Sequence, residues 1–403
     1  MIAKDQPLAE ISVYYKKTRD HLERHDLSDQ QKVYPSVRKR LQEAKSLYLA
    51  WVDVYEEYRR GFENEDLSLA LFPVKRFLSS LGKGLEGSFF EVIRPRIPVE
   101  VYFLVQDTYQ KFQCEKKFVL AEGGEFESHS VYDEIAEELR KLPAPSPHGT
   151  QAKTHLDTIR VNDIVKIYYE SVTYDSPLTW PLLLHEAVHD IFETNKLTNL
   201  FKLPVQKEPW KAEVAIDLCA AMYFGPVYAV SLAKYHERFP GGGGISHPAQ
   251  GPRLYGLLQL LGDLASEKGD LPPTVGKVIE RSFDIVRDLW GHYMLQKLEV
   301  QDEIKRLYDE VKQPTVDFIH SKGLRPFIEA VKQEPDLQEE SFEKTLSYIE
   351  SGIICATDPR VLFNSLVTLK NELQFEYVAE SVKKWYVSKM WLMARNQGQS
   401  TLF

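Results

Sequence analysis

The chain has 403 residues, 43% of them hydrophobic, which is enough to bury a large core and build one sizeable unit with helical parts appended. A net charge of −9 argues against a nucleic-acid partner, since phosphate binding depends on clustered lysine and arginine. Three cysteines far apart, Cys114, Cys219 and Cys355, read as reduced buried thiols of a cytoplasmic protein, not as a disulfide framework.

The N-terminus has no basic segment followed by an apolar stretch, so no secretory signal is expected. Up to about Gly87 the pattern is helical, with Ser28 able to cap a stretch reaching Arg60 and Asp66 opening another to about Leu81. The densest basic run, Val37 to Arg40, sits in mixed charge and reads as a solvated face. The period then changes. Residues 98–105, 117–120 and 163–172 are rich in β-branched and aromatic side chains and predict strands, with a helix from Tyr132 to Lys141 and a proline-rich loop at 143–147. The last of these strands is the candidate edge to which an extended substrate backbone would add.

Next comes His185-Glu186-Ala187-Val188-His189, inside the apolar run from Trp180 to Phe192. Helical residues four apart share a face, so His185 and His189 can hold one metal ion while Glu186, one step round, reaches a water beside it. The following segment predicts a mostly buried helix in which Glu213 and Asp217 are again four apart. Buried carboxylates must be paired, protonated or metal-bound. A catalytic zinc site takes three protein ligands, and two histidines with a glutamate is one known set, which makes Glu213 the proposed third ligand. His236, His247 and Glu193 are its competitors. Asp217 is placed to accept the free ring N–H of a zinc histidine, His185 first, and so to fix its tautomer.

A His-Glu-x-x-His helix followed by a Glu-x-x-x-Asp helix resembles the gluzincin metallopeptidases, the group that contains thermolysin. Ser246-His247-Pro248 followed by Arg253 is similar to the His-Pro-to-Arg segment of the prenyl-protein and heat-shock membrane peptidases within that group. The resemblance covers about Trp180 to Tyr255 and implies a zincin-like core, Zn²⁺ as cofactor and a peptide or protein as substrate. The metzincin pattern does not fit, because the positions where it wants glycine and a third histidine hold Phe192 and Asn195. On this reading Glu186 is the general base. The oxyanion would be met by His247 first, Arg253 second and Tyr255 third; Arg253 can equally pair with a buried acid.

Residues 218–233 form the longest nearly uncharged segment, but it is short for a membrane span and Gly225-Pro226 interrupts it, so it predicts the central helix behind the metal site. Four glycines at 241–244 predict a loop. Helical segments follow near 274–298, 300–333, 337–351 and 358–394, with Gly352 closing one and Asp358-Pro359 opening another. The expected fold is therefore α+β and predominantly helical. A helical region at 1–90 precedes a zincin-like core at 91–272, and a helical region at 273–403 follows that can pack round the core, recruit a protein partner or gate the cleft. Two rival readings share part of this pattern. One is a zinc-binding non-peptidase hydrolase or an inactive homologue; the other is a helical scaffold whose histidines are core residues.

Overall fold

A computed structural model describes, apart from scattered N-terminal positions, residues 99–123, 127–130, 164–170, 176–195, 209–238, 250–293, 299–369 and 375–396. The N-terminal helices, the 132–141 helix, the proline-rich loop, the glycine run and His247 fall outside them. The described part is predominantly helical. It divides into two units, residues 1–97 with 116–171, and residues 98–115 with 172–403.

Besides the scattered N-terminal positions, the first unit contains a three-stranded sheet: β1 (Lys117–Gly123), β2 (Glu127–Ser130) and β3 (Ile164–Glu170). The strand order is β1-β3-β2. β3 runs parallel to β1, with Phe118 opposite Val165, and antiparallel to β2, with Ser128 opposite Ile167. Val165 and Ile167, which share one face of the strand, are both buried. This overturns one expectation. The strand expected to offer a free edge to substrate backbone is β3, yet it is the middle strand, paired on both sides.

The second unit contains the helices α1 (Val99–Lys111), α2 (Leu183–Thr194), α3 (Pro209–Phe224), α4 (Val227–Arg238), α5 (Gln250–Ser266) and α6 (Pro273–Tyr293). They are followed by α7 (Glu299–Ser321), α8 (Phe327–Gln333), α9 (Glu339–Glu350), α10 (Pro359–Leu366) and α11 (Phe375–Asn396). Of residues 98–105, expected as a strand, those from Val99 on open α1 instead. Their side chains are buried all round, from Val101 through Val105 and on to Tyr109 and Phe112. A short apolar run covered on every side carries no period that separates strand from helix. Phe103 stacks on Tyr386 of α11, the ring centroids 4.0 Å apart, and Tyr109 donates to Asp190 of α2.

At the centre lies α3, which touches α2, α4, α5, α7 and α8. Every residue from Glu213 to Phe224 is buried, which is why the segment is apolar on all sides with its carboxylates as the exceptions. The expected single helix over 218–233 is two, α3 and α4, broken at Gly225-Pro226. Gly225 has φ +104°, and a Cβ there would lie 2.7 Å from Asn364 Nδ2. Asn364 of α10 staples the break: its Nδ2 donates to Phe224 O at 2.9 Å, and its Oδ1 accepts from Val227 N at 3.0 Å.

The C-terminal helices follow the expected pattern with two further breaks. The 358–394 segment is two helices, α10 and α11, with residues 367–369 outside helix. The 300–333 segment is cut at Gly323, φ +70°, where the Leu324 N–H reaches back to Ile319 O and α7 ends. Gly352 closes α9 and Asp358 caps α10 by accepting from Arg360 N at 2.8 Å, with Pro359 at the first helical position, both as expected. An apolar cluster of Val275, Ile279, Phe327, Val331, Leu337, Phe342 and Val361 joins α6, α8, α9 and α10.

Candidate metal centre

The candidate site lies wholly in the second unit, where α2 crosses α3. An irregular helical turn, Pro177–Leu182, leads directly into α2 and buries Trp180 completely, which anchors the start of the histidine helix. His185 and His189 lie four residues apart on α2, their rings edge to face with centroids 4.7 Å apart. Glu213 of α3 meets them both. His185 Nε2 is 2.9 Å from Glu213 Oε2 and 3.1 Å from His189 Nε2, and His189 Nε2 is 3.3 Å from Glu213 Oε1. These three residues are the group, among the described residues, that can hold a metal ion.

The tautomer of His185 tests whether a cation belongs there. Its Nδ1 lies 2.9 Å from Asp217 Oδ1, and Asp217 is ionised, because Arg253 Nε and Nη2 donate to its two oxygens at 2.6 and 2.8 Å. Nδ1 is therefore the donor. In the neutral ring Nε2 then carries a lone pair, yet it faces an oxygen of Glu213 and the Nε2 of His189. Acceptors this close need a cation between them, either a proton or a metal ion. Three ligands placed tetrahedrally about 2.0–2.1 Å from zinc would stand about 3.3–3.4 Å from one another, close to the observed spacing. The residues fit the group.

Without a metal, a proton takes that place. Burial disfavours the imidazolium of His185, but Asp217 and Glu213 outweigh burial and push its pKa up to about 10. Burial would likewise raise Glu213, yet the hydrogen bonds from His185 and His189 hold it well below the usual carboxylate range. Asp217 is also held low against burial, by Arg253 and then His185. Since Arg253 cancels the charge of Asp217, the ligand set presents one net negative charge to a divalent ion. The side chains of His185 and Glu213 are 5% and 9% exposed and that of His189 is 29%, so the centre is reached from the His189 side.

The other sequence candidates distribute as follows. Glu186 is buried, and its charge adds a last, small push to the raised pKa values of Tyr109 and Tyr228, after burial and the hydrogen-bonded Asp190 and Asp217. Arg253 sits behind His185, on the Nδ1 side, engaged with the buried acid Asp217. Among the competitors for third ligand, Glu193 is exposed. His236 is buried, which with Arg253 nearby pushes its pKa down to about 3, and it is not one of the converging groups. Tyr255 stacks on Trp290, the ring centroids 5.3 Å apart.

Sequence reasoning missed Tyr228, whose hydroxyl donates to Asp217 Oδ1 at 2.6 Å. No periodicity connects Asp217 to Tyr228, because the helix break lies between them. It also missed Asp190, which follows His189 directly and accepts from Tyr109 of α1. Among the described residues, no helix is long and apolar enough to cross a membrane. Compared with protein-family models, curated proteins and solved structures, the chain matches none of them.

Proposed function

We propose that this chain is a zinc-dependent metallopeptidase of gluzincin type, built on a zincin-like core in which α2 is the active-site helix and α3 the glutamate helix. The carrying observation is the convergence of His185 Nε2, His189 Nε2 and a Glu213 carboxylate, with Asp217 fixing the tautomer that turns the His185 lone pair inward. Two imidazoles and one carboxylate suit zinc, and the partly open His189 side leaves room for a substrate. A scaffold with core histidines needs His185 protonated to join Glu213 and Asp217, whereas a metal ion would use all three inward-facing groups at once.

Bound there, Zn²⁺ would supply Lewis acidity to a scissile carbonyl and to the attacking water. Glu186 would take the proton from that water on a carboxylate oxygen and pass it to the leaving amine. Asp217 keeps the His185 proton on Nδ1, so Nε2 stays a ligand and not a donor. The buried wall of α3 and α4 excludes water from behind the site, which strengthens its electrostatics.

Zinc content by mass spectrometry and hydrolysis of an unstructured protein test the reading together. About one zinc per chain is expected, retained in Glu186→Gln with hydrolysis lost by at least about 100-fold. Hydrolysis at the parent rate in Glu186→Gln would refute the mechanism. Zinc binding with no hydrolysis by the parent would favour a non-peptidase hydrolase or an inactive homologue.

A further inference from the structure

Tyr228 is the second residue of α4, just past the Gly225-Pro226 break that Asn364 staples, and its side chain is buried. Its hydroxyl shares an acceptor with two other groups. Asp217 Oδ1 faces Tyr228 Oη at 2.6 Å, Arg253 Nη2 at 2.8 Å and His185 Nδ1 at 2.9 Å, while Oδ2 takes Arg253 Nε at 2.6 Å. A carboxylate has about four lone-pair sites on its two oxygens, so three donors at one oxygen compete. Of the three, His185 stands farthest away. The phenol is not placed to meet substrate, because it lies 3.4 Å from His185 Nδ1, across the ring from the Nε2 that faces the other ligands.

We infer that Tyr228 is a positioning residue that moderates the grip on the metal. By occupying Asp217 Oδ1 it limits how strongly that oxygen draws on the His185 Nδ1 proton, and so limits the donor strength of Nε2. A ligating histidine becomes more basic as its other nitrogen leans harder on a carboxylate. Tyr228 works against that gain, keeping the ion a stronger Lewis acid than Asp217 alone would leave it. This inference rests on the metal centre proposed above and adds a sign to it: loss of the Tyr228 hydroxyl tightens metal binding, whereas loss of the Asp217 carboxylate weakens it.

The test uses the full chain, zinc and a competing chelator. Tyr228→Phe removes the donor and keeps the ring, and zinc affinity should rise about 3- to 10-fold, a part of the roughly 10- to 100-fold range over which such outer partners act. In zinc-loaded protein labelled with ¹⁵N-histidine, the His185 Nδ1 proton should move downfield as its hydrogen bond strengthens. A fluorinated tyrosine placed at position 228 is a stronger donor, and should lower zinc affinity and move the same proton upfield. A phenol that only braces the helix would give unchanged or weaker binding in Tyr228→Phe and the same proton resonance in both variants. Either result overturns the inference. If Tyr228→Phe does not fold, the fluorotyrosine variant decides by the same signs. A parent chain that takes up no zinc refutes the metal centre itself and this inference with it, whereas zinc uptake by the parent with the wrong sign in the variants refutes only the role of Tyr228.

Discussion

Replacing Asp217 by asparagine separates metal chemistry from folding more cleanly than replacing a ligand. The side chain of Asp217 is 1% exposed, and its carboxylate accepts from Arg253 twice, from Tyr228 and from His185. Asparagine keeps the volume but offers a single oxygen, and its amide must point a donor at either Arg253 or His185. If the amide faces Arg253 Nε, two donors meet and a buried guanidinium is left half paired. If it faces His185, the Nδ1 proton has no acceptor, and the ring is free to adopt the tautomer that places its proton where the metal should be. Breaking a buried pair by removing one partner typically costs about 3–5 kcal/mol, and losing an outer partner of a metal ligand weakens affinity by about 10- to 100-fold. Denaturant titration in excess chelator should therefore show a loss of about that stability, and chelator competition a loss of about that affinity. The double variant Asp217→Asn with Arg253→Met removes both charges and should recover part of the stability without regaining the parent zinc affinity, since the amide oxygen then free to face His185 is a weaker acceptor than the carboxylate. Zinc affinity within about twofold of the parent in Asp217→Asn would refute the link from Asp217 through His185 to the metal.

Two further predictions concern the frame round the site. Gly225→Ala places a Cβ 2.7 Å from Asn364 Nδ2 and 2.9 Å from Phe327 Cδ2 at φ +104°, so it should destabilise by at least about 1–3 kcal/mol in denaturant titration; a neutral result would mean that the α3–α4 break is not held as described. Asp358, resisting burial, is held well below the usual carboxylate range by Lys111 and Arg360. A depressed folded pKa contributes stability that is present above the unfolded value of about 3.9 and lost as pH falls towards the folded value. Asp358→Asn keeps an oxygen to cap Arg360 N but loses the charge, so the stability gap between parent and variant should be full near neutral pH and narrow below about pH 4. A gap that does not change with pH would remove the ionic role.

The group that can hold a metal ion was legible because its chemistry is local to two helices. Two spacings of four residues, His185 to His189 and Glu213 to Asp217, place side chains on helix faces whatever the rest of the fold does. The apolar surroundings gave the burial of His185, Glu213 and Asp217, while His189 is only partly buried. What could not be read was how the strands are arranged and where helices break. Residues 98–105 have a strand's composition, but the need to cover every face of the segment is met by a helix. β3 was recognised as a strand, but its central place depends on β2, whose sequence Glu-Ser-His-Ser carries no apolar alternation.

The same reasoning shows why the groups behind the ligands were harder to find than the ligands. A ligand pair must be spaced by the helix that carries it, so it leaves a trace in the sequence. Arg253 and Tyr228 reach Asp217 from α5 and α4, and only the packing of three helices brings them to one carboxylate. Their separations from Asp217, 36 and 11 residues, cannot be read along one helix, because a positive-φ glycine and a proline lie between Asp217 and Tyr228, and the chain beyond α4 lies between Asp217 and Arg253. Such groups tune a site without defining it, and substitutions there should shift zinc affinity in either direction while the three ligands stay where the two helices put them. Opposite signs at Tyr228 and Asp217, two residues bonded to each other, would be hard to explain by loosened packing, which weakens binding from either side of the bond.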